Sequence, residues 1–517
     1  MSVDQKHSQY AEWQEHWAKC RDTAGGARSV KGEGEKYLPK LTAEAQTEYN
    51  ARVTRAVFYG AMGRTIQGLS GAVHRRPAEL KVPTTFEEYQ ADFTLTGIPF
   101  NVFARGVFDN VLTTGRVAVY VDAPDIEAIP GGADMGLRPY AVMVPGESVI
   151  NWRWAWVPQA GRFILQWVVI KEMASAPKAT PDNIVAGTQE AWPVQFDYEQ
   201  HEQWRVLYLD YENLNEAGRP AYTVDVWRKD DKATAVGTSP GGNFVRTSQV
   251  VPRRLNAPLD FVPFQFFGPT NLTPDIEKPP LLDLAELNLA HYINSADYEH
   301  GLHFTGLPTY WVAGFPRDTT LRVGSDTAWV SDKEGASAGV IQANADNMGA
   351  LQQAMSDKKS EMAALGARML EQQKAGVEAA RAIELRQSGE TATLQGVATT
   401  TEAGLQKVAE TMVWWGGGEQ ENAEVTFNKD VVAVNATPEQ LTALTAMLQA
   451  GSISYLTFYY LLERFEMTRP GTTVEDEVSA INNDQNGVLN RQPPGTELSE
   501  REAAEIDDEL KRIEQEA

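Results

Sequence analysis

Residues 346–373 read DNMGALQQAMSDKKSEMAALGARMLEQQ. Met348, Leu351, Met355, Met362, Leu365 and Met369 recur in steps of three and four, or their sum, and Lys358 fills the one polar slot. A stripe this narrow belongs to a helix that meets another helix edge-on. At 1.5 Å per residue the helix would run roughly 40 Å. Ala363, Ala364, Gly366 and Ala367 would let a neighbouring helix approach closely. The Met-rich stripe could also serve as an adaptable binding face, but heptad spacing favours helix–helix packing.

Upstream, Pro279-Pro280 opens a second helical pattern, since proline is tolerated in a first turn. Leu282, Ala285, Leu289, Ile293 and Ala296 carry it to about His300. Between the two helices, residues 304–345 read as short strands and turns, with 309–312 and 327–330 as candidate strands. Downstream, Lys374 to Glu390 is less regular and is punctuated by Gly376 and Gly389, which predicts a loop. A further helix is expected over 391–415 on Leu394, Val397, Thr401, Leu405, Val408 and Met412, ended by Gly416-Gly417-Gly418.

Further out, residues 81–270 carry short runs rich in β-branched and aromatic residues. Examples are 116–121, 163–170, 204–209, 222–227 and 261–266. Their alternation predicts mostly antiparallel strands, so the fold class is α+β. The N-terminal 80 residues read as helical, with Tyr10, Trp13 and Trp17 on one stripe and a second helix over about 43–73. A strand is expected at 424–434, then two helices, one opening at Pro438 and one over 452–465. Residues 482–517 read as a linker and an acidic, solvated helix.

The chain of 517 residues carries a formal net charge of −24. A protein that grips nucleic acid is usually basic, because affinity comes from neutralising phosphates. This chain either ignores DNA or handles it without holding it. No run approaches the ~18 apolar residues of a membrane helix. The polar first residues lack the apolar core of a signal peptide, so synthesis and assembly in a cytoplasm are expected. With one cysteine, Cys20, neither an internal disulfide nor a cysteine-based metal site can form.

Catalytic motifs are weak. There is no phosphate-binding P-loop and no His-Glu-x-x-His pair. Lys31-Gly32-Glu33-Gly34 is glycine-rich but precedes no strand–helix unit. His291, His300 and His303 share one region, so a metal site is conceivable, yet no further ligand is evident. Asp122 and Asp125 could form a carboxylate pair, although their place beside a proline favours a turn. Arg75-Arg76 could touch phosphate or form a surface ion pair. No cofactor and no enzymatic activity are expected.

One ordered set of segments resembles a known family. Tyr37-Leu38-Pro39, Tyr49 and the run from Arg55 to Pro77 come first. Gly115-Arg116, residues 121–124 and 149–153, 304–309, 324–329, 362–370 and 389–393 follow in order. Together they resemble the bacteriophage portal proteins, in the branch catalogued as DUF4055, over about residues 35–480. His74 departs from the pattern, and the acidic tail has no counterpart in it.

The resemblance implies a homo-oligomeric ring, expected to hold twelve copies, at one capsid vertex of a virion. Double-stranded DNA would pass through it during packaging and ejection. Expected partners are the terminase, a head–tail adaptor, and the major capsid and scaffolding proteins, with no membrane involved. The implied parts are a wing (1–275 and 391–434), a stem of two helices (276–303 and 346–373), a clip (304–345), a tunnel loop (374–390) and a crown (435–481). An alternative is another oligomeric virion structural protein, such as an adaptor or capsid component. Lys358, Lys359, Lys374, Arg381 and Arg386 are channel candidates because they fall on or beside the inferred stem and tunnel loop. Met348, Leu351, Met355, Met362, Leu365 and Met369 are candidates for stem packing between subunits.

Overall fold

Aromatic spacing in the first helix sets the first layer. In the computed structural model, α1 (Ser8–Gly25) buries Tyr10, Trp17 and Cys20 on one face. Tyr10 and Trp17 meet edge to face at 5.5 Å. The structure describes residues 2–124, 138–158, 161–177, 198–215, 218–229, 244–255, 257–306, 309–316, 321–322, 328–341, 346–366, 380–419, 422–428, 438–465, 467–468 and 474–483. The chain divides into two units, Met1–Val431 and Val432–Ala517.

After α2 (Ala27–Gly32), the expected single helix over 43–73 is two, α3 (Gln46–Arg55) and α4 (Ala61–Val73). Ala56 turns extended after α3, and the backbone groups freed by the break are taken up by side chains elsewhere. The Val57 N–H donates to Ser295 Oγ at 3.1 Å. The Met62 N–H donates to Asn288 Oδ1 at 3.3 Å, while Asn288 Nδ2 donates to the Tyr59 carbonyl at 2.6 Å. A buried break is tolerated only when its donors and acceptors find such partners.

The middle of the unit is β-rich, as the alternation predicts. After β1 (Glu79–Lys81), α5 (Glu88–Ala91) and α6 (Phe100–Thr114) come β2 (Val117–Asp122) and β3 (Tyr140–Pro145). Gly115 closes α6 in the left-handed region at φ +67, and a Cβ there would lie 2.9 Å from the Pro279 backbone. Five antiparallel strands follow: β4 (Val149–Val157), β5 (Arg162–Pro177), β6 (Tyr198–Leu214), β7 (Pro220–Lys229) and β8 (Phe244–Val250), hydrogen-bonded in that order. A short ladder joins β9 (Arg253–Arg254) to β10 (Ala257–Pro258), and β11 (Phe264–Phe267) then pairs with the free edge of β2.

Two helices bracket a small hairpin next. These are α7 (Leu282–Gly306), β12 (Thr309–Ala313), β13 (Ser337–Ile341) and α8 (Asp346–Ala364). The candidate strand at 327–330 is corrected: Ala328 to Val330 is irregular, and β12 pairs instead with 337–341. That partner lacks aromatic residues, so it was not legible. Its Gly339 leaves room for the Trp311 indole, where a Cβ would meet Nε1 at 2.6 Å.

The long helix α9 (Ala380–Trp415) has 36 residues and would span about 54 Å. Its predicted stripe is buried in full: Leu394, Val397, Thr401, Leu405, Val408 and Met412. They pack in the main core with α6, β2 and β11. The loop expected over 374–390 is therefore corrected, since 380–390 is helical. Gly389 is one of three glycines inside α9, with Gly396 and Gly404, and each costs only about 1 kcal/mol, which a long packed helix tolerates. The expected helix over 346–373 is shorter, and its described part ends at Ala364. Residues 367–379 lie outside the described residues. The expected strand at 424–434 is β14 (Glu424–Thr426), paired with β1, and 429–434 are not described.

The second unit holds α10 (Pro438–Gln449), α11 (Tyr455–Arg464) and α12 (Val474–Asn483). Gly451, at φ +68, separates the first two as expected. Ser454 caps α11 by accepting from the Thr457 N–H at 3.2 Å. Helix α12 was not foreseen as a separate element.

Candidate functional site

Helices α7 and α8 run antiparallel. Near the hairpin end, Met348 lies over Gly301 of α7, so closely that a Cβ on the glycine would meet the Met348 sulfur at 2.8 Å. At the other end Met362 is fully buried with Leu282, Leu284 and Ala285 of α7 and with Ala61 and Met62 of α4. Leu351 and Met355 are half-buried between them. The stripe's first partner is thus a helix of the same chain. Leu365, past the helix end, is 46% exposed. Met369 lies outside the described residues.

The hairpin end is apolar and open. Leu302, Phe304, Tyr310, Trp311 and Val340 are all exposed there. Two strands alone make a marginal sheet in water, and a third strand or a packed partner is usually needed.

Two of the five basic candidates sit where α8 meets the N-terminal helices. Lys359 Nζ lies 5.2 Å from the centroid of the Tyr59 ring, and Arg64 Cζ lies 5.7 Å from the same centroid. Each distance is in the range where a cation is drawn to the ring face. Lys358, half-buried, and Lys359 both act on His291 of α7. The His291 imidazole is 2% exposed and neither ring nitrogen has a hydrogen-bond partner. Burial, helped by the two lysines, pushes its pKa down to about 4. It is neutral at pH 7, as its lack of a carboxylate partner requires. Arg381 and Arg386 fall on α9 rather than on a loop. Five residues apart, their Cα positions are about 140° apart around the helix axis. Lys374 lies outside the described residues.

The three histidines do not come together as ligands. His300 Nδ1 faces the Arg55 guanidinium at 3.4 Å, and burial with that neighbouring cation lowers its pKa. The rings of His300 and His303 both pack on Phe304. No group of three His, Cys, Asp or Glu side chains that could hold a metal ion occurs among the described residues. Asp122 is the last residue of β2, opposite Tyr140 in the ladder, and not a turn residue: it accepts from the Ala123 N–H at 3.0 Å and from the Tyr140 hydroxyl at 3.2 Å. Asp125 is not described. Lys31 Nζ donates to the Thr54 carbonyl at 3.0 Å, so that glycine-rich stretch ties α2 to α3. Arg75 and Arg76 are half-buried.

Three buried charges escaped the sequence reading. Arg52 and Glu44 form a two-pronged ion pair, Nε to Oε1 and Nη2 to Oε2 both at 2.9 Å, with side chains 2% and 4% exposed. Arg52 also donates to the Pro39 carbonyl at 2.7 Å, which fastens Tyr37-Leu38-Pro39 to α3. Arg116 is wedged between the rings of Trp152 (4.1 Å) and Phe266 (4.8 Å) and donates to the Pro274 carbonyl. Burial pushes its pKa down to about 9. Only the Gly115-Arg116 pair hinted at a fixed role. His74, the departure noted above, is packed edge-on by Phe108 and Phe427, and burial lowers its pKa to about 4. No described helix is long and apolar enough to cross a membrane.

No curated protein matches this chain. Among solved structures, one similar chain comes from the neck of an empty gene transfer agent (GTA) particle computed with C6 symmetry. It is 13% identical, with 85% of this chain and 98% of that one covered and a TM-score of 0.34. A second comes from the neck of the native particle computed with C12 symmetry, at 10% identity, 84% and 98% coverage and a TM-score of 0.33. A third, from the virion of the native GTA particle, gives 11%, 84%, 98% and 0.35. The segment holding α7, the β12–β13 hairpin, α8 and α9, residues 280–416, matches the family described as Domain of unknown function (DUF4055).

Proposed function

We propose that this chain is the subunit of a portal ring, a conduit of twelve copies through which double-stranded DNA enters and leaves a capsid. One observation carries the reading. Residues 282–364 form an antiparallel helix pair closed by a two-stranded hairpin whose apolar side chains are left open. Such a unit is incomplete in a lone chain and suits a ring whose neighbours complete it. The ordered resemblance over residues 35–480 and the family match over 280–416 support the same reading.

In this reading α7 and α8 are the stem, the β12–β13 hairpin is the clip, and α10 and α11 belong to the crown. The helices and sheets of residues 1–275, with α9, form the wing. Terminase and a head–tail adaptor dock on the ring, which contacts capsid and scaffolding proteins during assembly in the host cytoplasm.

The acidic balance then has a use. Duplex DNA carries one charge per about 1.7 Å of axis. A mainly acidic wall repels it from all sides and leaves it free to slide. Lys358 and Lys359, repeated by symmetry, centre it by phosphate contacts that read no sequence. Packaging energy comes from a separate motor, and the chain itself hydrolyses nothing. Negative-stain images of the purified protein test the proposal: rings with a central hole support it, and compact single particles contradict it.

A further inference from the structure

Strand β4 is the outer strand of the five-stranded sheet, and its hairpin with β5 carries large aromatic side chains into solvent. Trp154, Trp156 and Phe163 are 43%, 54% and 53% exposed. Trp154 and Phe163 stack with ring centroids 6.2 Å apart and planes 6° from parallel, and Trp156 meets Phe163 edge-on at 5.5 Å. Trp156 and Phe163 are direct cross-strand partners. Leu165, two residues on from Phe163, is buried in the main core. The apolar face therefore continues from the core outward past its edge, and nothing among the described residues covers its outer end.

A cavity of about 350 Å³ opens beside this face, lined by Trp154, Phe163, Phe264, Val408, Arg162 and Lys407 among others. That volume is at the small end of ligand sites and admits one or two side chains rather than a large cofactor. Its walls include no carboxylate. Arg162 and Lys407 are exposed and have no ion-pair partner among the described residues. In a protein of net charge −24, two unpaired cations at the mouth of an aromatic cavity stand out against the general field.

We propose that this groove between the β4–β5 hairpin and α9 is a docking site for an acidic peptide segment of a partner protein. An aromatic or aliphatic side chain of the segment fills the cavity, and flanking carboxylates pair with Arg162 and Lys407. Aromatic anchors in pockets rimmed by charge are the usual centres of protein recognition. An anionic bilayer is the weaker fit, because surface attraction to lipid uses clusters of about four to eight basic residues and this groove has two. The proposal stands apart from the ring reading, since it rests on the sheet edge and not on the stem.

The test uses the full chain and two fluorescein-labelled peptides, acetyl-Glu-Glu-Leu-Phe-Glu-Glu-Leu-amide and its Lys-for-Glu counterpart, followed by fluorescence anisotropy. The acidic peptide is expected to bind saturably and about tenfold or more tightly than the basic one. The double variant R162E K407E, made at exposed positions, is expected to lose about tenfold or more of that affinity with an unchanged melting temperature. F163S is expected to weaken it comparably. Equal binding of both peptides, no saturable binding, or binding unaffected by R162E K407E overturns the proposal. Capture of the chain by phosphatidylserine-containing vesicles through the same residues also overturns it, in favour of a lipid surface.

Discussion

Arg52 and Glu44 show how much a single residue can carry. Both side chains are almost wholly buried and joined through both prongs of the guanidinium. The neighbouring Arg52 donors hold the Glu44 pKa below the usual carboxylate range. Arg52→Ala leaves the Glu44 carboxylate without its two-pronged partner and is expected to cost about 1–3 kcal/mol, read as a clear drop in the denaturation midpoint. Arg52→Lys cannot restore the fork. An unchanged midpoint in Arg52→Ala would remove the pair from the account of the fold.

His291 is a buried group at the same scale whose removal is expected to stabilise rather than destabilise. Its folded pKa of about 4 lies below the ordinary 6.5, so as pH falls the unfolded chain takes up the proton first. Its contribution is therefore complete above about pH 6.5 and is lost as pH falls toward 4. His291→Leu removes an imidazole with no hydrogen-bond partner, and is expected to raise stability near pH 5 by about 1–3 kcal/mol. Urea denaturation at pH 5 and 7.5 checks it. An acid slope as steep as the parent's would show that His291 is not the group that titrates. The sequence placed His291 beside His300 and His303 as conceivable ligands. Its burial was illegible there, because it depends on α4 and α8 closing over α7 from 230 residues upstream and 70 downstream along the chain, by approximate count.

At the scale of elements, the long periodic helices were the legible part. All six stripe residues of α9 are buried, and α7 begins within a few residues of Pro279-Pro280. Punctuation is the less legible part. Gly389 lies within α9 and breaks nothing, whereas the break between α3 and α4 has no proline and is held open by Asn288 and Ser295 on a distant helix. Long-range partners of that kind leave no local signal.

Arg381 and Arg386 belong to a helix, and alanine there keeps helical propensity. Replacing Lys374, Arg381 and Arg386 together with Ala is therefore expected to leave ring yield normal and to reduce the length of DNA packaged or retained. Lost rings would assign these residues to inter-subunit ion pairs with Glu378 or Glu384, and wild-type packaging would remove them from DNA contact.

At the scale of the whole molecule, composition said more about what the chain avoids than about what it binds. A charge of −24 argues against a tight nucleic-acid binder, and the proposed conduit leaves packaging energy to a separate motor. Freshly purified chain is accordingly expected to release no phosphate from ATP above the background of a mock preparation. ATP hydrolysis abolished by a point substitution within this chain would end the proposal that the motor is separate. The α+β class and the order of helices, sheet and helix pair could be read from periodicity. The open aromatic end of the β4–β5 hairpin could not, because exposure depends on where the core stops.

The central claim is that the molecule is incomplete alone, and its mass in solution addresses that most directly. Mass photometry in mild buffer, across a range of salt and protein concentration, is expected to show a closed particle near twelve times 57.0 kDa. A single species of 57.0 kDa under every condition would contradict the ring.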